Sequence, residues 1–136
     1  MKHNLLLRTV SSIAIPFIFL FGLYILFHGK VSPGGGFQGG AIWATALILH
    51  SLVYGATETR RIVSPKLLQF VACTGVIIYC GTGLVNIMQG GRFLQYNAML
   101  SNPHSAQFLG VMLVEIGVHL TVFAALSLTY WRLVRE

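Results

Sequence analysis

Residues 10–27 read VSSIAIPFIFLFGLYILF, a run of 18 residues without a charged side chain. Three further apolar stretches follow, at residues 37–56, 67–88 and 107–131. Each is long enough for an α-helix to cross a hydrocarbon core of about 30 Å at about 1.5 Å per residue. None shows the polar face that a helix of a soluble protein carries at 3.6-residue spacing. The sequence therefore predicts an all-α membrane protein, one domain over residues 1–136 with four transmembrane helices.

The composition supports a membrane protein and excludes two other classes. Apolar residues make up 55% of the 136 residues and charged residues 9%, against roughly 25% charged in an ordinary soluble domain. Disordered chains have the opposite composition.

The first apolar run exceeds the roughly 7–15 apolar residues of a signal peptide, and no small-residue cleavage site follows it. We therefore expect it to remain as a helix.

The basic residues predict an orientation and no nucleic-acid partner. The net charge is +6, but the basic residues form no stripe interleaved with aromatic residues. Cytoplasmic loops of membrane proteins are enriched in Lys and Arg. Seven of the nine basic residues lie in the segments of one predicted side: Lys2, Arg8, Arg60, Arg61, Lys66, Arg132 and Arg135. Lys30 and Arg92 lie on the other, so both termini are predicted to face the cytoplasm.

A glycine-rich segment joins the first two stretches. This glycine motif consists of Pro33, Gly34, Gly35, Gly36, Phe37, Gln38, Gly39 and Gly40. It matches G-x-G-x-x-G, but no strand precedes it and a membrane span follows, so a dinucleotide site is excluded. Two interpretations remain. The glycines could form a tight turn between antiparallel helices, or a non-helical segment whose N–H groups cluster near a polar path or a partner.

Three ionisable residues within the apolar stretches are candidates for an ion path. Glu115 is the acidic residue of the last stretch, where a charge costs about 2.5–3.5 kcal/mol unless it is neutralised, paired or facing protein or water. His119 follows four residues later, on the same helix face. The two could share a proton or a hydrogen bond, or could anchor the helix to another subunit. His50 is more typical of a neutral histidine that donates to a nearby carbonyl. The histidines and cysteines lack the spacing of a metal site.

Three further features of the sequence concern packing and the last loop. Gly75 is expected to allow close approach of another helix, and Gly81 extends this small-residue face in the same stretch. Cys73 and Cys80 are expected as small packing residues. A short interfacial helix is expected around residues 93–100, in the loop before the last stretch.

Two segments together resemble a known family. The glycine motif, PGGGFQGG, resembles the signature of the B subunit of Mrp-type multisubunit Na+/H+ antiporters (MnhB/MrpB-like). Residues 114–122, VEIGVHLTV, resemble a second region typical of that family. The length and the four spans also agree, so the resemblance covers essentially the whole chain. Two residues depart from the family pattern, since Glu115 stands where Asp is frequent and His119 where an aromatic or apolar residue is common.

The resemblance implies a small, multi-pass component of a cell-membrane complex that exchanges Na+ for H+. It implies no enzyme activity and no cofactor, with Na+ and H+ as the transported ions. The implied partners are the large antiporter-like A and D subunits, the small C, E, F and G subunits, and membrane lipid. Membrane-bound hydrogenase complexes carry a homologous subunit, so a redox-driven ion-pumping complex is the alternative.

The residues themselves argue against two further functions. A self-contained small transporter would be expected to carry acidic residues in more than one span and an inverted repeat, and the chain has neither. No loop offers a nucleophile, a base and an orienting group, so an autonomous enzyme is the least favoured class.

Overall fold

The computed structural model describes residues 2–29 and 34–134. Within them the chain is helical, and the helices in chain order are α1 (Lys2–His28), α2 (Gly36–Tyr54), α3 (Ala56–Ile62), α4 (Pro65–Met88) and α5 (Pro103–Leu133). Four of these, α1, α2, α4 and α5, are long and apolar enough to cross a membrane. The predicted all-α fold with four membrane helices is therefore confirmed.

Two connections differ from the sequence-based expectation. The second apolar stretch was expected to run to residue 56, but α2 ends at Tyr54 because Gly55 adopts a φ of 100°. The chain turns there into the short helix α3, which carries Arg60 and Arg61 in its last turn. A short interfacial helix was expected near residues 93–100, where the structure has a three-residue 3₁₀ turn, Tyr96–Ala98.

Helix starts follow local capping chemistry at two of the long helices. The Ser64 hydroxyl accepts a hydrogen bond from the Leu67 N–H at the start of α4, and Asn102 accepts one from His104 at the start of α5. A proline follows each cap, where its missing N–H costs nothing. Helix α2 begins differently, because its N-cap residue is Gly35, with a φ of 130° and no side chain.

The four long helices form a row in the order α1, α2, α5, α4. Helix α5 thus packs against both α2 and α4, and α2 packs against both α1 and α5. The outer faces of the row remain apolar, with Phe17 and Ile77 more than 60% exposed, as expected for a chain surrounded by lipid or other membrane subunits. Cys73 and Cys80, expected as packing residues, lie on this exposed surface as free thiols.

Small residues set the spacing between α4 and α5, as predicted for Gly75. A Cβ placed on Gly75 would lie 2.5 Å from the Gly117 carbonyl oxygen, and one placed on Gly117 would lie 2.8 Å from the Gly75 carbonyl oxygen. The two backbones therefore approach each other closely at reciprocal glycines. Gly81, expected to extend this contact, faces open space instead.

Candidate functional site

The glycine motif is partly a turn and partly the start of a helix. Gly34 and Gly35 precede α2, whereas Gly36 to Gly40 form its first turn. Pro33 lies outside the described residues. The Gly39 N–H donates to the Gly35 carbonyl at 3.0 Å, which closes that turn. The motif therefore supplies the positive φ of the N-cap residue and also a side-chain-free surface on α2.

That surface packs directly on Glu115 of α5. A Cβ on Gly36 would collide with the Glu115 carbonyl oxygen and would lie 3.1 Å from the Glu115 Cα atom. A Cβ on Gly35 would lie 3.4 Å from the Glu115 carboxylate oxygen Oε1, and one on Gly29, after the end of α1, would lie 2.9 Å from it. The carboxylate thus lies where the ends of α1 and α2 meet α5.

His119 occupies the next turn of the same contact. Its side chain is 2% exposed, and a Cβ on Gly39 would lie 2.7 Å from its Nδ1 atom. The Trp43 ring meets the imidazole edge-on, with 4.5 Å between ring centroids. Neither imidazole nitrogen has a hydrogen-bond partner among the described residues. The Glu115–His119 hydrogen bond that the sequence spacing allows is therefore not formed in this structure.

Helix α1 completes the site from the other side of α2. The Trp43 indole N–H donates to the Phe19 carbonyl at 2.9 Å. Gly22 gives the indole room, since a Cβ there would lie 2.8 Å from the Trp43 Nε1 atom. Sequence reasoning did not assign Gly22, Gly29 or Trp43 to the site. The available signal was the position of Trp43, which lies away from the predicted membrane edge where tryptophan is usually found.

His50 lies elsewhere on α2. It follows Gly40 by ten residues, which places it about 15 Å further along the helix. Its Nδ1 atom lies 2.8 Å from the Thr59 hydroxyl oxygen, and that hydroxyl donates to the Gly55 carbonyl at 3.0 Å. Because a hydroxyl has one proton to donate, the imidazole N–H is the donor in the pair. The partner is a hydroxyl and not the expected carbonyl, and it ties the end of α2 to α3.

Helix α3 also holds the end of α5. The Arg60 guanidinium donates to the Trp131 carbonyl at 2.9 Å and to the Val134 carbonyl at 3.3 Å. Carbonyls at a helix C-terminus lack intrahelical partners, and a cation there is favourable. His50 and Arg60 thus fix the ends of α2 and α5 opposite to the glycine motif. The described residues contain no group of three or more metal-ligating side chains.

Comparison with known proteins adds independent information. A family model described as a domain related to the MnhB subunit of Na+/H+ antiporters matches residues 6–128. A protein of Staphylococcus haemolyticus named "Putative antiporter subunit mnhB2" is 34% identical, over 93% of this chain and 97% of its own length. The protein of the same name from Staphylococcus aureus strain Newman is 31% identical over the same shares.

Proposed function

The chain belongs to the MnhB family of Na+/H+ antiporter subunits, and from that premise we propose that the contact between the glycine motif and Glu115 forms part of the ion route. The protein is the MnhB-type component of a multisubunit Na+/H+ antiporter of the Mnh/Mrp type, part of a transporter and not an enzyme. The names of the relatives favour this antiporter over the redox-driven alternative.

One observation carries the proposal. The two segments that identify the family are about 80 residues apart in the chain, yet they meet at one place in the fold. The residue at that meeting point is Glu115, the acidic side chain within the four membrane helices. An ionisable group within a membrane helix is expensive, and it is expected to be there for a function.

The site suits proton or cation exchange at a carboxylate. Glu115 can bind a proton, or can offer oxygen ligands to Na+. Glycines bring the backbones of α1 and α2 close to the carboxylate, so that their peptide dipoles act on it at short range. His119 is the next polar group inward, at a distance of one helical turn. His50 lies toward the opposite end of α2, where it would act separately from Glu115.

The setting of the protein in its complex follows from charge and family. The seven-to-two distribution of basic residues supports cytoplasmic termini and a place in the cell membrane. The large A and D subunits and the small C, E, F and G subunits are the proposed partners, in contact with the apolar faces of the helix row. Transport is then collective, and any net charge moved gains about 2.3 kcal/mol per 100 mV of membrane potential.

Two substitutions of Glu115 distinguish a role on the ion route from a role in holding helices together. Glu115→Leu removes the carboxyl. If Glu115 lies on the ion route, this variant should give a complex that assembles but does not exchange Na+ for H+ in everted membrane vesicles. Glu115→Asp keeps the carboxyl and should retain much of the activity. If Glu115 only anchors helices, Glu115→Leu should instead prevent the tagged protein from co-purifying with its partners, because a buried partner group would lose its hydrogen bond.

A further inference from the structure

Helix α1 ends, and helix α2 begins, at a level well inside the length of α5. Gly36, the first residue of α2, packs on the backbone of Glu115, whereas α5 begins twelve residues earlier, at Pro103. At about 1.5 Å per residue, α2 begins about 18 Å below the start of α5. Helix α1 ends at the same level as α2, as the approach of Gly29 to the Glu115 carboxylate shows.

The part of α4 and α5 beyond this level is still apolar. Leu84 and Met88 on α4 are 57% and 86% exposed, and Leu109 on α5 is 43% exposed. Leu109 precedes Glu115 by six residues, so about 9 Å of apolar helix surface lies outside the carboxylate. Exposed leucine and methionine on a membrane helix belong in hydrocarbon. The start of α2 therefore lies within the membrane and not at its surface.

Lipid is a poor neighbour for a helix start at that depth. The first N–H groups of a helix have no intrahelical partner, Gly35 has no side chain with which to cap them, and the acidic side chain at this helix start is Glu115, whose Oε1 atom would lie 3.4 Å from a Cβ on Gly35. Non-helical backbone inside a membrane is tolerated only where protein covers it or water reaches it. Among the described residues, the exposed flank of this helix start carries the polar side chain of Gln38.

A second, independent observation favours water. The His119 imidazole is 2% exposed and lies against Gly39, one turn inward from the helix start. Neither of its nitrogens has a hydrogen-bond partner among the described residues. Buried polar groups nearly always have a partner, and ordered water supplies it when the protein does not. The His119 imidazole and the exposed Gln38 thus both lie within about one turn of the helix start, and water there would supply hydrogen-bond partners to both.

We infer that an aqueous vestibule, open to the side of the membrane on which α2 and α5 begin, ends at the first turn of α2 and Glu115. It would hold water and the hydrated monovalent cations or protons that the antiporter complex exchanges. The identity of these ions rests on the proposed function, whereas the vestibule itself rests on the depth of the helix ends. Access of water can therefore be tested separately from transport.

Cysteine accessibility in the assembled complex provides the test. In a chain lacking Cys73 and Cys80, Gln38→Cys places a thiol at the vestibule floor. The probe is a membrane-impermeant ammonium methanethiosulfonate, added to either side of the membrane. Ser101→Cys, on the exposed connection before α5, marks the open side. The native Cys80, restored alone, is the matched control, since it is exposed on α4 at a similar depth.

The expected result is labelling of Gln38→Cys from the same side as Ser101→Cys, with no labelling of Cys80, because hydrocarbon excludes the charged reagent. Labelling should persist when Glu115→Gln is added, even if antiport is lost, so failure of the ion route would not be mistaken for failure of the vestibule. If Gln38→Cys is as unreactive as Cys80 in an assembled complex, lipid or another protein of the complex covers the site and the inference is wrong. Labelling only from the side opposite to Ser101→Cys would also overturn it.

Discussion

Gly39→Ala is expected to lower the stability of the antiporter by overpacking, because Gly39 contacts both α1 and α5. The added Cβ would lie 2.7 Å from the His119 Nδ1 atom on α5 and 2.8 Å from the Gly22 carbonyl oxygen on α1, whereas ordinary contact begins at 3.4 Å. Helix α2 cannot move away from one neighbour without approaching the other. The His119 ring cannot swing aside easily either, since it is buried against Trp43.

The magnitude follows from a matched comparison with Gly81→Ala. Both positions lie within helices, so each alanine gains about 1 kcal/mol of helix propensity, but a Cβ on Gly81 would meet nothing within 4 Å. The difference between the two variants is then the overpacking cost, about 1–3 kcal/mol. That corresponds to a change of roughly 5- to 150-fold in the equilibrium between packed and unpacked helices.

The assay measures assembled complex and Na+/H+ antiport in everted vesicles after a series of heat treatments. Gly39→Ala should lose both at lower temperature than the wild type, whereas Gly81→Ala should match or exceed the wild type. The double variant Gly39→Ala/His119→Ala should recover part of the loss, because it removes one of the two collisions. Equal heat resistance of Gly39→Ala and Gly81→Ala would refute the packing described for α1, α2 and α5.

Three further predictions concern orientation, the helix start and the histidine. With Cys73 and Cys80 replaced, a cysteine at Ser32 should react with an impermeant thiol reagent outside intact cells and one at Thr59 should not; reversed labelling would contradict cytoplasmic termini. Gly35→Val and Gly36→Val should each abolish antiport. Valine disfavours the φ of 130° at Gly35, and a valine side chain at position 36 would collide with the Glu115 backbone. Normal vesicle antiport by both variants would show that the motif is only a turn that tolerates other residues. His119→Phe should assemble and lose less antiport than Glu115→Gln, since the two residues share no hydrogen bond; an equal loss would mean that they share a proton.

The sequence was sufficient to predict the four long helices, because the length of an apolar run is a local property of the sequence. The four apolar stretches correspond to α1, α2, α4 and α5, and Gly75 was correctly predicted at a close helix contact. The end of α2 was misplaced by two residues, because Gly55 lies inside an otherwise apolar run and its positive φ is set by the turn into α3.

The site could be predicted only in part, because its key contacts are tertiary. Spacing alone placed His119 and Glu115 on one helix face, but it could not reveal that α2 packs in parallel against that face, with Gly36 on Glu115 and Gly39 on His119. Nor could it show that α2 begins about 18 Å below the start of α5. The apolar runs have similar lengths, and their relative depth depends on which residues pack against each other.

The most direct test of a role for Glu115 is Na+/H+ antiport by purified, fully assembled complex carrying Glu115→Gln, reconstituted in liposomes and measured across a range of pH. Glutamine keeps the size and the hydrogen-bonding capacity of the side chain but cannot bind or release a proton in this range. If the carboxyl lies on the ion route, exchange should fall sharply or its pH profile should shift, while all subunits remain in the complex. Exchange at the wild-type rate with an unchanged pH profile would contradict a place for Glu115 on that route.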